Sequence, residues 1–229
     1  MVSLGGELVE AEFRKREKRF VVHVKVGSRV VEAFLSQTGR LTGILRPGST
    51  VVLRMVPRAS RLHFDVVMAY DGLAPVIVDA RIPNLVAAEA LSKHQFASCP
   101  PYSQVLSERK VGNHRIDFVL SNHSKTFLEV KGCTMKRRSS AMYPDAPTER
   151  GREHLKILTR LQRRGVSTML VFLAMRSDVS SFKVNSEVDP EFAALLDSSV
   201  REGTRVVAYS TIVSRGRARL GRRLRLAPE

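Results

Sequence analysis

The stretch RIDFVLSNHSKTFLEVK, residues 115–131, decides how the rest of the chain is read. RIDFVL and TFLEV are short apolar runs on either side of a polar, turn-prone SNHSK, so they predict the two strands of a hairpin. Side chains alternate between the faces of a strand. Glu129 and Lys131 therefore share one face, and Asp117, 12 residues before Glu129, can meet them across the pair. Two carboxylates and an ammonium on one face suit metal-assisted phosphodiester hydrolysis, in which the carboxylates hold Mg²⁺ or Mn²⁺ and the lysine orients or polarises the attacking water. The ordinary alternative for a strand ending in LEVK is a surface ion pair.

Working outward, NLVAAEALSKHQ (84–95) predicts a short helix and SQVLSER (103–109) a further strand. A longer helix is expected over about 146–164, opened by Asp145 and Pro147, closed by Gly165, and buried through Leu155, Leu158 and Leu161. STMLVFLAM (167–175) is a nearly continuous apolar run, as expected of a strand covered on both faces at the centre of a sheet. A last helix starts at Asp189-Pro190, buries Phe192, Leu195, Leu196 and Val200, and ends at Gly203 before a final strand, RVVAYSTIV (205–213). The order α, three strands, α, strand, α, strand implies an α/β unit, a mixed sheet flanked by helices.

Together with Asp117, Glu129 and Lys131, that order resembles the PD-(D/E)XK nucleases. The resemblance implies a further acidic metal ligand on the helix before the three strands, where Glu89 stands in AAEALSKH; an exposed helical glutamate is the plain alternative.

From residue 13 to about 78 the rhythm differs. RFVVHVKV, RVVEAFL, STVVLRMV, LHFDVVMA and APVIV are β-rich runs separated by turn signals such as Gly27-Ser28, Pro47-Gly48 and Asp71-Gly72. Five short strands in a small unit predict a compact barrel or sandwich, of which the OB-like β-barrel is one solution. The chain is thus divided into 1–82, the barrel, and 83–229, the nuclease-like α/β unit with a basic tail.

Charge points to the partner. Lys and Arg number 38 against 22 Asp and Glu, a net +16. A surface of that kind binds polyanions through phosphate neutralisation, so DNA is expected, with RNA as an alternative because phosphate contacts do not separate the two. No run approaches the roughly 20 apolar residues of a membrane span, and MVSLGGELVEAEF lacks the pattern of a secretion signal, so the cytoplasm is the expected compartment. Cys99 and Cys133 are isolated and fit neither a disulfide framework nor a CxxC pair.

Several blocks carry a closer resemblance: KRF (18–20), Thr38-Gly39, Pro47-Gly48, PN…EAL (83–91), RIDF (115–118), EVK (129–131), PDA-TERG-HL (144–155), RSD (176–178) and Asp189-Pro190. In this order and spacing, from about residue 13 to 213, they resemble the sugar fermentation stimulation protein A family. That resemblance implies an N-terminal OB-like domain, a C-terminal nuclease-like domain, DNA binding and a role in regulating sugar-utilisation genes. The chain departs from the family pattern at His23, where an aspartate is expected, in SQTG (36–39) for PNTG, and at Met175 for a glutamine.

Four basic clusters are candidates for nucleic acid: RKREKR (14–19), KRR (136–138), the helix carrying Arg150, Arg152, His154, Lys156 and Arg160, and the tail RGRARLGRRLR (215–225), read as an edge strand or a phosphate-binding arm. Lys18, Arg19, Arg40, Arg115, Arg150, His154 and Arg176 are the expected contacts, with His154 one helical turn from Arg150. None of the six histidines shows metal-ligand spacing along the sequence. The reading is a DNA-binding protein with a metal-dependent phosphodiesterase site. Its alternatives are a regulator that binds DNA without cutting it and a basic RNA-binding accessory protein.

Overall fold

The structure, a computed structural model of the chain, describes residues 1–57, 62–96 and 99–227. A two-residue strand, β1 (Val2–Ser3), precedes the barrel strands β2 (Leu8–Lys18), β3 (Val21–Val26), β4 (Arg29–Phe34), β5 (Thr50–Met55), β6 (Phe64–Asp71) and β7 (Ala74–Ile77). The strands are ordered β4-β3-β2-β5-β6-β7, and Phe34 of β4 also pairs in parallel with Asp65 of β6. That pairing closes β2 to β6 into a five-stranded barrel, the OB arrangement expected. Its interior is filled by Phe13, Val22, Val24, Ala33, Leu53 and Val66.

The strand not foreseen is β2. It runs through the middle of the barrel sheet, burying Ala11 and Phe13 on one face, and its other face carries exposed Arg14, Lys15 and Lys18 from the RKREKR cluster.

The second unit begins with α1 (Ile82–Ser92), then β8 (Gln104–Val111), β9 (His114–Ser121), β10 (Lys125–Cys133), β11 (Met135–Arg137) and β12 (Ser140–Tyr143). It continues through α2 (Glu149–Arg163), β13 (Ser167–Ala174), β14 (Ser181–Val184), α3 (Pro190–Arg201), β15 (Arg205–Ser214) and β16 (Arg217–Leu226). The sheet order is β11-β12-β14-β16-β15-β13-β10-β9-β8, with β1 paired to β16. β10, β13 and β15 are parallel neighbours, and β13 lies between the other two, buried on both faces as its apolar run required. One face packs on α1 through Val86, Leu91, Leu128, Val130 and Val171, and the other on α2 and α3 through Leu155, Leu158, Phe172, Phe192 and Leu196.

Helix α2 starts later than expected because Thr148, not Asp145, is its cap: the Thr148 hydroxyl accepts from the Gly151 N–H at 3.1 Å. Asp189 caps α3 as foreseen, accepting from the Phe192 N–H at 2.9 Å, and its other oxygen accepts from the Thr148 N–H at 2.8 Å, so one side chain fixes both helix starts. Val200 is exposed rather than buried.

Buried charge ties the units together. Arg54 and Arg81 both reach Asp65 and Asp79, at 2.6–3.0 Å, which joins the barrel to the start of α1. Fully buried Arg176 binds Asp178 at 2.6 Å and Asp71, on the barrel, at 2.7 Å.

The basic tail is neither an arm nor an edge. β16 is an interior strand between β14 and β15, burying Ala218, Leu220 and Leu224 while Arg217 and Arg219 stay exposed. Gly221 is required there, because a Cβ would lie 2.4 Å from the Ser210 hydroxyl at the bulge in β15. Truncation after Ser214 would remove the strand that joins β14 to β15, open an edge on each, and strip three buried side chains from the core. Such a chain is expected to lose its cooperative urea transition and its native circular dichroism.

Candidate active site and metal centre

The ladder between β9 and β10 runs from Lys125 opposite Ser121 to Leu128 opposite Phe118 and then stops. β10 continues beside β13 as far as Cys133, and β9 continues beside β8 as far as His114. Each strand is held by its outer neighbour while the inner edges part. The next rung would set Glu129 opposite Asp117. In its place the Val130 N–H donates to Asp117 Oδ2 at 2.8 Å, so a carboxylate satisfies the backbone donor that the fork releases.

Asn84, in the first turn of α1, donates to Asp117 Oδ1 at 2.8 Å. Glu129 is buried; Lys131 Nζ donates to its Oε1 at 2.7 Å, and the same oxygen meets His154 Nδ1 from α2. Lys131 Nζ lies 3.4 Å from His154 Nδ1. Asp117, Glu129, Lys131 and His154 are thus brought together as the strand alternation and the helix required.

Burial raises the Asp117 carboxyl to about 6, and the Glu129 charge adds to it, against the lowering effects of the Val130 N–H, Lys131 and Asn84. Burial opposes ionisation of Glu129 too, but Lys131 and His154 outweigh it and hold Glu129 below the usual carboxylate range. Lys131 is held above its ordinary value, because Glu129 outweighs its own desolvation. One carboxylate is compensated by a lysine and its partner is left short of positive charge. That donor set fits a divalent cation: every carboxylate oxygen has two lone pairs, and the hydrogen bonds present leave acceptor capacity on both residues.

Glu89 is not part of this group. It pairs with the N-terminal amine and with Lys93. Five residues separate it from Asn84, about 140° around a helix of 3.6 residues per turn, so α1 can turn only one of the two to the fork. The residue it presents is Asn84, which the PN…EAL block contained without marking it.

Arg150 and Arg115 are exposed and, with His154, His114 and Glu108, line an open cleft of about 560 Å³. Arg19 and Arg40 lie at the seam between the units: Arg19 on a cavity of about 180 Å³ shared with Gly39 and Asp145, and Arg40 on one of about 390 Å³. Arg16 fixes that seam by donating to the carbonyls of Gln37 and Gly39 at 2.8 and 2.7 Å. Lys18 is exposed at the end of β2. The expectation for Arg176 is overturned, since all its surface is covered and its guanidinium is spent on Asp71 and Asp178. Met175 is buried beside Gly132.

Residues 15–78 match the SfsA N-terminal OB domain, and residues 81–217 match the sugar fermentation stimulation protein RE domain. The chain belongs to the sugar fermentation stimulation protein family. Members include a homolog from Clostridium kluyveri, 36% identical over 205 residues that span 88% of this chain and 89% of that one. A homolog from Saccharolobus solfataricus is 37% identical over 200 residues, 87% of this chain and 78% of its own. The family member from Pyrococcus furiosus, solved in complex with Ca²⁺, superimposes with a TM-score of 0.90 at 25% identity, covering 100% of both chains.

The carboxyl of Asp117 has a folded-state pKa above its ordinary 3.8, so the folded protein binds that proton more tightly than the unfolded chain. The stability linked to it is complete below about pH 4 and is lost as pH rises through about 6. Without metal, Asp117→Asn is expected to match wild type at pH 4 and exceed it at pH 8 by on the order of 2 kcal/mol, read by urea unfolding.

Proposed function

We propose that this protein is a DNA-binding phosphodiesterase in which Asp117 and Glu129 hold Mg²⁺ or Mn²⁺. The observation that carries this reading is the fork between β9 and β10, with two facing carboxylates and the partly buried Lys131 on one face. The bound ion would neutralise charge on a phosphoryl oxygen and activate water. Lys131, anchored by Glu129, stands where it can donate to a phosphate oxygen, and His154 holds Glu129 from the helix side. Asn84 and the Val130 N–H orient Asp117, leaving its lone pairs for the cation. The Ca²⁺ in the Pyrococcus furiosus relative supports a hard divalent ion, since Ca²⁺ takes oxygen ligands of the kind Asp117 and Glu129 offer.

Nucleic acid enters this reading through charge. Arg115 and Arg150 flank the cleft that His154 shares with the fork, and Arg19 and Arg40 extend positive charge toward the barrel. Such contacts bind phosphate without reading bases. The second reading, a regulator that binds DNA without cutting it, is favoured by one feature: Glu129 Oε1 is already engaged by both Lys131 and His154, and α1 brings no third carboxylate.

Millimolar Mn²⁺ is expected to raise the melting temperature of wild type and leave that of Asp117→Ala unchanged. Lys131→Ala should abolish nicking of supercoiled DNA with DNA affinity retained, whereas Arg115→Ala with Arg150→Ala should weaken binding and flatten its salt dependence. Metal binding at Asp117 with no cleavage of any DNA or RNA by wild type would establish the noncatalytic reading instead.

A further inference from the structure

On the outer face of the barrel, well apart in the chain from Asp117 and Glu129, three side chains of metal-ligating type converge. Glu17 on β2, His23 on β3 and Glu32 on β4 place one ligand atom each within 4.8 Å of one another, the one such group of three among the described residues. Two features of the sheet bring them together. His23 and Glu32 are directly paired across β3 and β4. The ladder between β2 and β3 shifts register between Arg16 and Lys18, so Glu17 is the extra residue of a bulge. A bulge re-aims a side chain relative to a regular strand, and here Glu17 meets His23 Nε2.

We propose that Glu17, His23 and Glu32 form a second metal site, selective for a transition ion of the Zn²⁺ class. One imidazole nitrogen with two carboxylate oxygens is a mixed N/O donor set, which suits Zn²⁺, Co²⁺ or Ni²⁺, whereas Mg²⁺ and Ca²⁺ favour oxygen alone. Tetrahedral Zn²⁺ with bonds of about 2.1 Å sets its ligand atoms about 3.4 Å apart. To admit an ion at that spacing Glu17 must give up its contact with His23 Nε2 and swing aside, which a side chain 42% exposed is free to do. Three protein ligands leave one position open to solvent. It lies on the strand face that carries exposed Lys15 and Lys18, so a phosphate oxygen could occupy it.

The sequence hid this site because its ligands come from three strands, 6 and 9 residues apart, with no spacing that marks a metal motif. The test uses the tag-free full-length chain carrying Asp117→Asn, which removes the other cation site, titrated with Zn²⁺ by calorimetry. One equivalent should bind, be lost in His23→Ala, and bind at least about tenfold more weakly in Glu32→Gln. Co²⁺ in place of Zn²⁺ should give a visible spectrum without a thiolate band, which excludes Cys99 and Cys133 as ligands. The same His23→Ala loss, read in the chain with Asp117 intact, keeps the test valid whatever Asp117→Asn does to folding. No Zn²⁺ uptake at millimolar concentration, or uptake unchanged by His23→Ala, would overturn the proposal and leave the Asp117 and Glu129 site untouched.

Discussion

The hydrogen bond from the Val130 N–H to the Asp117 carboxylate is the contact on which the rest of the site depends. A buried backbone donor must be paired. Had β9 and β10 remained a continuous ladder, that N–H would have gone to a carbonyl and the two acidic side chains would have stood side by side on a closed sheet. By taking the donor, Asp117 allows the strands to part and becomes fixed within the opening. Burial and the neighbouring Glu129 then raise its carboxyl, while Glu129 itself is kept ionised by Lys131 and His154. The asymmetry between the two carboxylates is an electrostatic demand for a cation, built by the backbone.

The scaffold holds that fork open from several sides. β13, buried on both faces, supports β10 through Cys133, and β8 supports β9. α1 contributes Asn84 to Asp117 and α2 contributes His154 to Glu129, so each helix holds one of the two carboxylates. Much of the positive charge serves this architecture. Arg54, Arg81 and Arg176 are committed to aspartates that join the barrel to the second unit, and Arg16 to carbonyls within the barrel. Near the fork, Arg115 and Arg150 share the cleft with Glu108, Glu149 and Glu153, so the exposed positive charge there is local to two side chains and far smaller than the net charge alone would imply.

Period-two alternation makes the site legible in the sequence, because Glu129 and Lys131 must share a face and the hairpin length lets Asp117 join them. The helices are legible from their caps and apolar spacing. What escapes does so for physical reasons. In β2, Ala11 and Phe13 alternate properly but are followed by six charged residues in succession, 14–19, so the strand resembles a solvated run. In β16, Ala218 and Leu220 keep the alternation until Gly221 shifts the phase, and the arginines between them hide an interior strand. β11, β12 and β14 are three or four residues long and are recognisable only by their partners. Glu89 stands out by its charge, yet helical phase, which charge does not reveal, turns Asn84 to the site instead. The partners of Arg176 lie 105 residues away and two residues away, and only the folded chain shows that both are occupied.

The most direct test of the account is a crystal structure of the full-length chain grown or soaked with millimolar Mn²⁺, with anomalous differences recorded. The account predicts an anomalous peak in the fork, bonded to carboxylate oxygens of both Asp117 and Glu129, with Lys131 beside it. A chain saturated with Mn²⁺ elsewhere, or not at all, with Asp117 and Glu129 in their present hydrogen bonds and no peak between them, would contradict it.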